Sequence, residues 1–139
     1  MNALTIAVLL TALGAGPAPE VRGLLATPVT FGDEAGAKLA SAILDLLGTS
    51  TYSRVATEEE WLAAGRGCHV RIKFAEPPRT VDVSGAAGLP VGEVIATFPL
   101  TSTGGLWVRS GDRCAYFAKY SGPALDKIQT LLREARPAG

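Results

Sequence analysis

The 139-residue chain has one histidine, one methionine, two cysteines and two tryptophans. A lone histidine, His69, leaves little room for imidazole acid–base chemistry, the commonest kind near neutral pH. No CxxC or HxxxH pair occurs, so the usual zinc-ligand spacings are missing. There is no GxSxG nucleophile elbow, no phosphate-binding or dinucleotide glycine loop and no haem-attachment motif. No cofactor is expected. Neither sign of charge is in excess, with thirteen basic and thirteen acidic residues. The bulk electrostatic signature of a nucleic-acid binder is therefore absent, and no nucleic-acid partner is expected. Charged residues make up only 19% and apolar ones 47%, which excludes the low-hydrophobicity, high-charge composition of disordered chains.

What is present is an apolar start. Residues 3–13 read ALTIAVLLTAL with no charge. The run suits the hydrophobic region of a signal peptide and is too short to span a bilayer. Ala12 and Gly14 supply small residues for a cut before Ala15, and Pro17 and Pro19 suit an extended linker. Export to a periplasmic or extracellular space is the favoured reading, with no stable membrane span after cleavage. The n-region lacks Lys and Arg. A buried first strand built on Leu4, Ile6 and Val8, or an uncleaved anchor, are the alternatives. The chain divides into residues 1–14 as signal segment, 15–32 as linker or edge segment, and 33–136 as a single domain.

Sixteen glycines and nine prolines favour short strands and turns over a helical bundle. Residues 34–47 carry Leu39, Ala42, Ile43, Leu46 and Leu47 at helical period, with Asp33 as the expected cap and Gly48 as the end. Thr57, with Glu60 three residues on, forms a capping box that opens a short helix ending near Gly65. Glu58, Glu59 and Glu60 then complement the helix dipole rather than form a catalytic cluster. Residues 68–74 alternate, with Cys68, Val70, Ile72 and Phe74 on one face and His69, Arg71 and Lys73 on the other. Residues 81–83 form a brief strand before a turn at 85–88. Residues 91–98, 106–110 and 114–120 read as further strands, and Ser110-Gly111-Asp112-Arg113 as a hairpin turn. A last helix starts near Pro123, with Leu125, Ile128, Leu132 and Ala135 as its stripe. Residues 21–31 could add a short strand, which Pro28 would confine to an edge. The expected fold is α+β: an antiparallel sheet of about four strands with two to three helices packed on one face.

Export would place Cys68 and Cys114 in an oxidising space, where a bridge between them is the expected state. Closing that loop would stabilise the fold by about 4 kcal/mol in the chain-entropy picture. Two buried free thiols are the alternative. If the bridge forms, Tyr116 shares the face of Cys114 and Phe117 lies opposite. A zinc site on Cys68, His69 and Cys114 is disfavoured, because neighbours on a strand point to opposite faces.

One constellation carries a functional reading. His69, Arg71 and Lys73 share a strand face that Arg109 and Lys119 can join, with Trp107 beside Arg109. A basic face with an aromatic can take an anionic ligand or an envelope protein through charge-assisted hydrogen bonds and stacking. An ordinary solvated face is the plainer explanation. The sequence points to an exported binding domain. A small periplasmic hydrolase without a motif and a structural envelope protein are the other classes. Glu93, mid-strand, is the acid with least structural explanation.

Overall fold

The structure, a computed structural model, describes residues 18–101 and 104–137. The apolar segment 3–13 and the expected cut before Ala15 lie outside the described residues. In chain order the elements are β1 (Glu20–Leu24), β2 (Pro28–Thr30), α1 (Asp33–Gly48), β3 (Tyr52–Ala56), α2 (Glu58–Ala64) and β4 (His69–Lys73). Then come β5 (Thr80–Val83), β6 (Ala86–Pro90), β7 (Glu93–Thr101), β8 (Gly104–Ser110), β9 (Arg113–Ala118), α3 (Ala124–Leu132) and β10 (Arg136–Pro137).

Eight strands form one sheet in the order β10-β2-β1-β4-β7-β8-β9-β3, and β5 and β6 form a separate hairpin. Every neighbouring pair is antiparallel. The sheet is therefore twice the expected width. Residues 15–32, read as linker or edge, supply β1 and β2. Val21 is buried opposite Ile72, which puts β1 inside the sheet. Pro28 opens β2, where its missing N–H costs least.

The expectation that all helices share one face also fails. Val94, Ile95 and Ala96 are consecutive on β7 and all fully buried. Successive strand residues point to opposite faces, so both faces must be covered. On one face α1, α3 and the β5–β6 hairpin pack Leu39, Ile43, Leu46, Ile128 and Leu89 against Val70, Ile72, Val94 and Val108. Burying each such aliphatic side chain contributes about 2 kcal/mol. On the other face α2 alone sets Trp61 and Ala64 over Ile95, Cys114 and Ala56.

The helix signals largely hold. Glu60 N–H donates to Thr57 Oγ1 at 3.1 Å, and Thr57 N–H donates to Glu60 Oε1 at 2.9 Å, completing the capping box. Asp33 instead begins α1. Gly32 is the cap residue, with no side-chain bond. Gly85 and Gly111 turn the β5–β6 and β8–β9 hairpins in the left-handed region, at φ of 80° and 61°.

The disulfide does not form. Cys68 and Cys114 are both free thiols, one exposed and one buried. Cys68 immediately precedes β4 and Cys114 lies on β9, with β7 and β8 between. Three inter-strand steps amount to about 14 Å. That is about twice the longest Cα separation a disulfide spans. Alternation also places the two on opposite faces. Cys68 is in phase with Val70 and Ile72, whereas Cys114 packs under α2.

Candidate binding face

The face that carries α2 holds the residues expected to bind. Strand register aligns Arg22, Arg71, Ile95, Trp107, Tyr116 and Arg54 in one row across β1, β4, β7, β8, β9 and β3. Glu93, Arg109 and Cys114 form the next row. Helix α2 crosses from the end of β3 to the start of β4, with Trp61 as its anchor at 1% exposure.

Three arginines of this face each have a carboxylate. Arg71 donates to Glu93 at 3.0 Å, and its guanidinium lies 5.7 Å from the Trp61 ring centroid. Arg109 pairs with Glu58 at 3.5 Å and lies 5.8 Å from the same ring. The two guanidiniums brace Trp61 by cation–π attraction. Arg54 donates through both terminal nitrogens to Glu60, at 3.1 and 2.9 Å. That bond, with the Thr57 backbone N–H, lowers the Glu60 carboxyl to about 2, and Glu60 in turn raises Arg54. The glutamates of α2 thus do more than complement a dipole. Two of the three tie the helix to the sheet, and the face is close to charge-compensated.

The six expected residues separate into four settings. Arg71 and Arg109 hold α2. His69 lies on the α2 face as its alternation requires, yet it is only 9% exposed, and its Nδ1 lies 2.8 Å from the Gly67 carbonyl oxygen. Lys73 is exposed at a shallow cavity of about 190 Å³ shared with Glu20, Arg22, Arg71 and Glu93. Trp107 and Lys119 belong to a fourth setting, an aromatic cluster.

That cluster is built by pairing across β8, β9 and β3. Trp107 faces Tyr116 with ring centroids 4.5 Å apart, and Tyr52 meets Tyr116 edge-on at 6.5 Å. Arg54 lies 5.1 Å from the Tyr116 centroid and 5.9 Å from that of Trp107. Lys119 follows β9 in the left-handed region at φ 61°, with its ammonium 5.8 Å from the Tyr52 ring. The Trp107 indole N–H and the Tyr52 and Tyr116 hydroxyls donate to no other described residue. Lys119 has no carboxylate within 4 Å among the described residues. Sequence reading missed Tyr52, Arg54 and Tyr116. The hairpin turn at Gly111 could have placed Tyr116 opposite Trp107. Nothing local could have placed β3 beside β9.

The chemistry available is recognition: aromatic rings, their N–H and O–H donors and an ammonium without a carboxylate within 4 Å among the described residues. Glu93, unexplained in the sequence, is the Arg71 partner. Burial pushes the Cys114 thiol up, away from the thiolate a nucleophile needs. A cavity of about 420 Å³ lies between the end of α1, β3 and β5, and neither His69 nor Glu93 lines it. Among the described residues no three His, Cys, Asp or Glu side chains converge as metal ligands, and no helix is long and apolar enough to cross a membrane. No protein-family model, curated protein or solved structure matches the chain.

Proposed function

We infer that the chain is an exported binding domain that takes an anionic group with a planar, stackable portion. The reading rests on one observation: the half-buried Trp107–Tyr116 pair, flanked by Arg54 and Lys119. A planar group stacks on the indole and phenol rings, and its anion reaches the Lys119 ammonium and the tyrosine hydroxyls. Such stacking is worth about 0.5–1.5 kcal/mol per aromatic pair. Charge-assisted bonds add to it and set the sign of charge preferred. Export rests on the uncharged segment 3–13, and an envelope protein bearing acidic and aromatic side chains is a fitting partner.

The test uses the two indole N–H resonances in proton–nitrogen NMR spectra, assigned with Trp107→Phe. The probe is a benzoyl-capped tetraglutamate peptide, with the matching tetralysine peptide as control. The expected result is a saturable shift of the Trp107 indole that weakens with salt, while that of Trp61 stays still. No shift at millimolar peptide, or an equal shift with the lysine peptide, would falsify the reading.

A further inference from the structure

The two edges of the large sheet differ. At one edge β10 has two residues, one of them Pro137, which cannot donate to a further strand. At the other, β3 runs five residues in unbroken register with β9. Apart from Arg54, which is paired with Glu60, it carries none of the usual devices that blunt an edge: no proline, lysine or bulge. Two of the three exposed large apolar residues among those described lie on it: Val55 at 58% and Tyr52 at 41% exposure.

The direction of its free backbone groups follows from one bond. Thr51 N–H donates to the Lys119 carbonyl, so Thr51, Ser53 and Val55 are the positions that bond β9. The N–H and C=O groups of Tyr52, Arg54 and Ala56 therefore point away from the sheet. Among the described residues only the Tyr52 carbonyl is engaged, by the Ser50 hydroxyl at 2.8 Å.

We propose that β3 pairs antiparallel with β3 of a second copy of this chain, about a twofold axis at Arg54. In that register Tyr52 stands opposite the partner's Ala56, and Val55 stands opposite the partner's Ser53. On either side of the axis a large side chain meets a small one, reciprocally, as a twofold contact requires. The outward-facing residues meet only outward-facing residues, so the ladder hydrogen bonds close. On the face toward α1, the partner's Val55 comes beside Ser53. Ser53 lines the cavity of about 420 Å³ whose floor includes Leu47, Val81, Val83 and Phe117. Each Val55 thus has in the other copy a cavity of mixed lining to enter, where these four side chains offer the apolar contact beside Ser50, Thr51, Asp82 and Ser84. Arg54 faces the partner's Arg54 across the axis, each already neutralised by its own Glu60. An extended peptide of another protein could use the same backbone groups, but the large–small match is written in this chain's own strand. Five residues span only about 17 Å. Such a contact falls below the ~1,200–2,000 Å² of stable interfaces, so the dimer is a weak one that grows in with concentration. It requires no ligand at Trp107, though it shares Tyr52 and Arg54 with the proposed binding face.

Sedimentation velocity on the chain recovered from an exporting host, from micromolar to millimolar concentration, tests the pairing. The expected result is a reversible monomer–dimer equilibrium, weakened at least about tenfold by Val55→Lys, which plants a charge on the edge. Leu62→Lys, at the third exposed apolar residue, leaves it unchanged. Because Val55 is a surface residue, the variant keeps its fold, and circular dichroism checks this. Hydrogen exchange on the unmodified chain provides the second measurement: the Arg54 amide becomes protected as concentration rises. A monomer at all concentrations, a dimer indifferent to Val55→Lys, or a dimer without protection at Arg54 overturns the proposal. So does an edge protected only when another protein is added.

Discussion

Replacing Trp61 with alanine is the sharpest test of how the α2 face is held. Trp61 is the one large side chain that α2 buries, and it covers Ile95 and Cys114 between the Arg71 and Arg109 guanidiniums. A tryptophan buries ~150–250 Å², and at ~25 cal/mol per Å² its burial contributes about 4–6 kcal/mol at most. Measured truncations of buried aromatics cost about 3–5 kcal/mol. The lower part of that range applies if α2 detaches while the rest stays folded. The sheet separates this small cluster from the main core of α1 and α3, which makes local detachment the expected outcome. Urea unfolding followed by far-ultraviolet circular dichroism gives the global cost. With a slope of ~2 kcal/mol per molar, a loss of 3 kcal/mol moves the midpoint by about 1.5 M. Thiol labelling gives the local outcome, because Cys114 is buried in the same cluster as the indole. In Trp61→Ala, Cys114 reacts with a disulfide reagent about as fast as exposed Cys68. A midpoint moved by less than about 0.5 M, with Cys114 still protected, would refute the assignment of Trp61 as the anchor.

Other expectations follow from the same geometry. Intact mass after alkylation without reductant should show two modified cysteines, Cys68 fast and Cys114 slow; an unmodified oxidised product would restore the disulfide. Glu60 is lowered from 4.5 to about 2 by Arg54 and the Thr57 N–H. Its contribution is therefore complete above pH 4.5 and is lost as pH falls through about 2. Glu60→Gln should flatten the stability profile across that window, and an unchanged acid limb in thermal unfolding counts against the ion pair. Thr57→Ala should cost about 1 kcal/mol through loss of the cap, read from the same urea curves. Gly23→Ala should destabilise by about 1–3 kcal/mol through overpacking. Its Cβ would lie 2.6 Å from the His69 carbonyl oxygen in the next strand. A neutral melting temperature for that variant would show that β1 does not sit so close to β4.

Much of the local structure was legible because its causes are local. The Thr57–Glu60 capping box is a matter of four residues, and it starts α2 where the spacing requires. The alternation of residues 69–73 puts Val70 and Ile72 toward α1, with Arg71 and Lys73 on the reverse. The periodic leucines and Ile43 of α1 mark its buried side. Width was less legible, because β1, β2 and β10 are short and owe their pairing to neighbours far along the chain. A two-residue strand such as Arg136–Pro137 has no signature of its own.

By itself, then, the sequence determined where α2 begins, which side chains share a face of β4 and β8 and where the β5–β6 and β8–β9 hairpins turn, since each depends on backbone preferences within a few residues. Only the tertiary structure decided which strands are neighbours. Alternation specifies a face but not a partner, and pairing is settled by long-range packing. That choice set β7 and β8 between Cys68 and Cys114 and so kept two thiols apart. It laid α2 across the second face, where Glu58 and Glu60 meet Arg109 and Arg54. It also brought β3 against β9, which assembled Tyr52, Arg54 and Tyr116 beside Trp107 and left five residues of strand open at the edge.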